Sequence, residues 1–206
     1  MKHFYSILIL FAFVFSFQNQ AQAQSKLGIK GGINLANIFA EQEGVSVSFS
    51  NNIGLVGGLV YASPVSEKFD IQIEALFVQK GFAINLPSIA RTEATLNYIE
   101  VPVLGKFKLG NGNSKFFLDL GPSFGYAISG STGTAGDKEK IEFDGDFRRL
   151  DVSLNVGGGL ELDAANNTFF IEARYSIGLT QINEEVDIED PKLKNKGISF
   201  TVGMFF

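Results

Sequence analysis

From residue 27 to the end of the chain, large apolar side chains recur at every second position, and small or polar residues fill the places between them. A period of two is the signature of a β-strand with two unlike faces, whereas a helix would repeat every 3.6 residues. Eight such runs are predicted. The first is KLGIKGGINLA, with Leu27, Ile29, Ile33 and Leu35 on one face and Lys30 and Asn34 on the other. The second is IGLVGGLVYAS, where glycines blur the register. In the third, Phe69, Ile71, Ile73, Ala75 and Phe77 oppose Asp70, Gln72, Glu74, Leu76 and Val78. In the fourth, Ile99, Val101, Val103, Phe107 and Leu109 oppose Glu100, Pro102, Lys106 and Lys108. The fifth places Phe116, Leu118, Leu120, Phe124 and Tyr126 opposite Asp119, Gly121, Ser123 and Gly125. The sixth places Leu150, Val152, Leu154, Val156, Leu160 and Leu162 opposite Arg149, Asp151, Ser153, Asn155 and Glu161. The seventh sets Phe169, Ile171, Ala173, Tyr175, Ile177 and Leu179 against Glu172, Arg174, Ser176 and Gly178. The eighth is KGISFTVGMFF, with Ile198, Phe200, Val202, Met204 and Phe206 on one face and Phe205 out of phase.

Several runs exceed ten residues, longer than the five or six usual in soluble sheets and close to the 9–11 that cross a bilayer. The predicted connections alternate in length. PVSE, GNGNS and DAANN are short and rich in turn residues, whereas those after the first, third, fifth and seventh strands are long and polar. Backbone groups in lipid must pair within the protein, which for strands requires a closed sheet. The fold expected is therefore all-β: an eight-stranded antiparallel up-and-down transmembrane barrel with its apolar face outward. A soluble sandwich or lipocalin-like barrel is the competing reading. Pro102 lacks a ladder donor, so a bulge or irregular pairing is expected there.

The first 23 residues follow another pattern: Lys2, an apolar run from about Ile7 to Phe17, then Ala21-Gln22-Ala23. This reads as a signal peptide over 1–23, leaving a barrel domain over 24–206. The only histidine, His3, leaves with it, and the chain has no cysteine. Histidine acid–base catalysis, Ser-His-Asp triads, cysteine nucleophiles and ordinary zinc sites are thereby excluded from the mature chain, and no enzyme activity or cofactor is expected. The net charge of -5 argues against nucleic acid as a partner. The glycine-rich GSTGTAG lacks the lysine and following helix of a phosphate loop and reads as a flexible linker.

The polar face carries charges of both signs. Lys30, Lys80, Lys106, Arg149 and Arg174 are expected to pair with Glu74, Glu100, Asp119, Asp151, Glu161 and Glu172 inside the barrel, because buried charges must pair. A structural plug is the expected role, with a proton or ion path as the alternative, since an eight-stranded lumen is filled by side chains. Glu184, Glu185, Asp187, Glu189 and Asp190 make the last loop acidic, without the spacing of an EF-hand.

The stretch Asn97–Phe107, NYIEVPVLGKF, resembles the Y-I-E-[VI]-P-[VL]-L-x-K-[FY] signature of the PorT-type outer-membrane β-barrel family of Gram-negative bacteria. GIKGGINLANI, FDIQIEALFVQKGF and FFLDLGPSFGYAISG fit the same family. The resemblance implies a small outer-membrane barrel of the kind loosely labelled a porin, in some members linked to secretion of surface proteins. It supplies no catalytic residues. The alternating connection lengths and the eight strands put the long loops outside the cell and both termini in the periplasm, and the expected partners include outer-membrane lipid, lipopolysaccharide and secretion-system or other envelope proteins. A narrow porin is the alternative function. Phe200, Val202, Met204 and Phe206 resemble the terminal signal read by the barrel assembly machinery.

Overall fold

A computed structural model describes residues 25–42, 45–48, 50–86, 89–134, 137–141, 143, 148–183 and 192–206. The expected signal peptide and the acidic stretch Glu184–Asp190 lie outside the described residues. Among the described residues there are ten strands: β1 (Lys26–Gln42), β2 (Val45–Ser48), β3 (Asn52–Ser66), β4 (Phe69–Leu86), β5 (Ile89–Leu109), β6 (Ser114–Thr134), β7 (Asp137–Lys140), β8 (Leu150–Ala164), β9 (Asn167–Gly178) and β10 (Lys192–Phe205). Eight of them are barrel staves in chain order, each antiparallel to the next, and β10 closes on β1 from Gly28↔Phe205 to Glu41↔Lys192. The short β2 and β7 extend β1 and β6 at one end only.

The exposures decide which face is inside. Leu118, Phe124 and Val202 are 57%, 55% and 63% exposed, whereas Lys106 and Asp119 are 1% and 2%. Hydrocarbon is the only solvent in which that arrangement is stable: a band of Leu, Ile, Val and Phe faces out, and the charged side chains are enclosed.

One end carries the tight turns. Glu67 and Lys68 join β3 to β4, residues 110–113 join β5 to β6, and Ala165 and Asn166 join β8 to β9. Gly110 and Gly112 adopt positive φ there, and so does Ala165 at 53°, which places the last turn in the left-handed region. The other end departs from expectation. The connection between β4 and β5 is not a long loop: the two strands run on to Leu86 and Ile89, leaving only residues 87–88 between them. The glycine-rich stretch after the fifth sequence run is likewise strand, with Gly130–Thr134 in β6 and Asp137–Lys140 paired against it. At 21 residues, β5 and β6 are about twice the length needed to cross a bilayer. Polar residues in a ladder satisfy their backbones as well as in a loop, so composition did not separate the two.

Irregularities at Pro102 and Ile128 shape the wall beside the lumen. At Pro102 the β4–β5 ladder is interrupted opposite Glu74 and Ala75 but resumes in the same register. The bulge lies instead in β6, where Asn97 pairs with Ser129 and Tyr98 with Ala127, leaving Ile128 as the extra residue. The inward–outward alternation of β6 slips there, so that Ile128 and Ser129 are both exposed. The β3–β4 ladder stops at Val56↔Val78, and side chains take over. Gln79 Oε1 accepts the Leu55 N–H at 3.0 Å, and Asn34 Nδ2 donates to the Gln79 carbonyl at 2.8 Å.

Candidate functional site

The sequence offers no catalytic constellation, so the candidate site is the lumen itself, which the strands fill in four layers. At the short-turn end Phe117, Phe170 and Phe205 meet Val60 and Ala62. The rings of Phe170 and Phe205 are 5.1 Å apart and tilted by 35°. Each of the three phenylalanines lies across a glycine of the paired strand: Phe117 opposite Gly159, Phe170 opposite Gly203 and Phe205 opposite Gly28. A Cβ on those glycines would come within 2.6, 2.2 and 2.8 Å of the ring. The barrel interior is too narrow for a ring and a facing side chain, and the missing Cβ opens the slot.

Above this aromatic floor sits Lys106. Its Nζ is 3.8 Å from the centre of the Phe117 ring and 5.4 Å from those of Phe170 and Phe205. It binds Glu161 at 2.6 Å and donates to Gln72 Oε1 at 3.3 Å. The sequence marked the charges of this layer but not the rings. Phe205 was visible only as a residue out of phase, and Phe117 and Phe170 were hidden in Phe-Phe pairs whose other member faces out.

The middle of the barrel holds the largest cluster. Arg174 grips Glu74 with two parallel bonds, Nη1 to Oε2 at 2.8 Å and Nη2 to Oε1 at 2.9 Å. Its Nε lies 2.7 Å from Glu172 and 3.3 Å from Asp119. Lys30 approaches Glu74 at 2.9 Å and Glu172 at 3.6 Å, and Gln72 Nε2 donates to Glu74 at 2.6 Å. Bidentate guanidinium–carboxylate pairing is the strongest and most directional bond available to such a cluster. Higher up, Lys80 joins Glu100 at 2.5 Å and Asp151 at 2.9 Å, and Asn195 Nδ2 donates to Asp151 at 3.0 Å. A cavity of about 40 Å³ between these two clusters, lined by Lys30, Lys80, Glu100 and Arg174 among others, has room for a few waters. The fourth layer is apolar again: Ile38, Leu96, Tyr98, Ala127, Phe143 and Ile182 close the long-loop end.

Ten of the eleven charges assigned to the lumen thus meet there. Arg149 is the exception: it donates to the Ala127 carbonyl at 3.2 Å and lies over Phe143 and Tyr126, at 4.6 and 5.9 Å. It stands at the first residue before β8, above the carboxylates, so strand phase alone misplaced it. Sequence reasoning also missed the pair Lys108–Asp70 at 2.7 Å, although both residues lie on the polar face. Among the described residues no group of three or more His, Cys, Asp or Glu is arranged to hold a metal. Phe200, Val202 and Phe206 are exposed on the apolar wall of β10, and the Phe206 N–H donates to the Leu27 carbonyl at 2.9 Å.

Comparison with known proteins places this architecture. The family model described as "Outer membrane protein beta-barrel domain" matches residues 18–184. No curated protein matches the chain. Among solved structures, Neisserial surface protein A is similar at 13% identity, covering 89% of this chain and 100% of its own, with a TM-score of 0.51. Ail, the attachment invasion locus protein of Yersinia pestis, shares 18% identity over 89% of this chain and 100% of its own, with a TM-score of 0.45.

Proposed function

We propose, for a chain that belongs to the outer membrane protein beta-barrel domain family, that it is a closed, non-enzymatic scaffold in the outer membrane. Its projecting hairpins are the working surface. The observation that carries this reading is the filled lumen: two apolar layers enclose three sets of ion pairs, with about 40 Å³ left between two of them. A solute pore needs a continuous wet path and a lining of one dominant charge. The mixed, mutually paired charges of this barrel supply neither.

In this reading the short turns and both termini face the periplasm, and the β4–β5 and β6–β7 extensions stand outside the cell. That orientation fits the usual arrangement of short periplasmic turns and longer external segments. The resemblance of Asn97–Phe107 to PorT-type barrels supports a role as accessory to secretion of surface proteins, with the external hairpins contacting other envelope proteins. The assembly machinery would read β10, and lipid and lipopolysaccharide would surround the belt. Reconstitution of the folded barrel in planar bilayers tests the central claim. The expected result is conductance no greater than that of lipid alone. A steady single-channel conductance would favour a narrow porin instead.

A further inference from the structure

The charges of the lumen do not balance. Lys30 and Arg174 face three carboxylates in the central cluster, Glu74, Asp119 and Glu172. Among these, Glu74 takes the two guanidinium bonds, the Lys30 ammonium and the Gln72 amide. Neither oxygen of Asp119 or of Glu172 receives a hydrogen bond, although the two residues are only 2% and 4% exposed. Asp119 makes one ion pair, at 3.3 Å to an Nε that is closer to Glu172. The groups facing it are Arg174 and Glu172 on β9, Glu74 on β4, Lys30 on β1, and Lys106 on β5, its ladder partner, whose ammonium is turned to Glu161 on β8. Gly157 lies against the Asp119 carboxylate, with a built Cβ only 2.8 Å from Oδ1, so that side leaves no space for a counter-ion.

An uncompensated carboxylate in a dry, low-dielectric interior is one of the costliest arrangements in a protein, and such a group is neutralised rather than left bare. A metal ion would need more converging ligands than the cluster provides. We propose that the central cluster is a binding site for one proton, held on Asp119. The proton turns Asp119 from an acceptor without a donor into a donor, while Glu172 keeps its ion pairs with Arg174 and Lys30. The cluster then carries two positive and two negative charges. This site is independent of whether the barrel conducts.

Infrared spectroscopy of the folded barrel in detergent micelles tests it, because a protonated carboxyl and a carboxylate absorb in separate regions. At neutral pH the wild-type barrel is expected to show the carbonyl band of a protonated carboxyl. Asp119→Asn and Glu172→Gln are each expected to abolish it and still fold, as judged by heat-modifiable gel mobility. Glu161→Gln is expected to retain it. Absence of the band in the wild-type protein, its persistence in Asp119→Asn, or its replacement by a sodium-dependent change in stability would overturn the proposal. Failure of Asp119→Asn to fold would also overturn it, since the amide mimics the neutral acid.

Discussion

Replacing Lys106 by methionine isolates the energetics of the sealed lumen. Lys106 is 1% exposed, and its ammonium lies 2.6 Å from Glu161 and 3.8 Å from the centre of the Phe117 ring. Methionine keeps an unbranched apolar stem, one atom shorter, but removes the ammonium and its charge. Glu161, whose side chain is 8% exposed, then loses its ion pair in a low-dielectric setting. Breaking a buried pair from one side costs about 3–5 kcal/mol, mostly from the stranded charge. The cation–π contact with Phe117 adds up to about 2 kcal/mol when desolvated. Urea titration of the folded barrel in micelles, followed by gel mobility, should register a midpoint lowered by more than about 1 M at the usual slopes. The double variant Lys106→Met with Glu161→Gln removes both charges and should regain most of the loss, and Glu161→Gln alone completes the cycle that yields the coupling. A loss below about 1 kcal/mol in the single variant would mean that Glu161 is solvated, and the description of a dry lower lumen would be wrong. Equal losses in single and double variants would assign the effect to packing alone.

Other consequences are open to direct measurement. Gly203→Ala brings a Cβ to 2.2 Å from the Phe170 ring and 2.6 Å from the Ile29 carbonyl, so it should destabilise by about 1–3 kcal/mol. Adding Phe170→Leu should return part of that loss in the same titration, and no recovery would place the whole clash on the backbone. Phe206 is 60% exposed, so its deletion should lower insertion into the outer membrane in cells far more than the stability of barrel already folded in micelles. Equal losses would make it only a packing residue. At the short-turn rim, beyond the apolar belt, burial works against ionising Asp163, but Lys115 and Thr168, both bonded at 2.6 Å, outweigh it and hold the carboxyl below its usual range. Its contribution is present above about pH 3.9 and fades as pH falls through the lowered folded value. Asp163→Asn should flatten the acid limb of the stability curve by well under about 1 kcal/mol, because both partners are roughly one-third exposed.

Much of the fold could be read from the period-two pattern, because a lipid-facing wall and a filled lumen impose opposite chemistries on alternate residues. Leu118 and Asp119 differ in exposure by 55 percentage points while adjacent in sequence. The pairing of charges was legible as a set but not as partners: which cation meets which anion depends on stagger between strands, and Glu74 and Arg174 are 100 residues apart. At Pro102 a bulge or irregular pairing was expected; the ladder is interrupted there but keeps its register, and the extra residue went to Ile128, which has no unusual chemistry. The extensions of β4, β5 and β6 were read as loops because polarity was taken to end a strand, whereas only the apolar belt ends there.

The three ring-over-glycine slots constrain how this sequence can drift. Phe117 with Gly159, Phe170 with Gly203 and Phe205 with Gly28 are each one unit of inheritance written at two distant sites. A side chain at Gly203 first meets the ring, and at Gly28 and Gly159 it meets a neighbouring carbonyl and then the ring; a change at the ring first leaves a void on the barrel floor. Either order passes through a less stable intermediate, so the pairs should be gained and lost together across descendants. Any redesign of the floor should likewise treat each pair as a single letter.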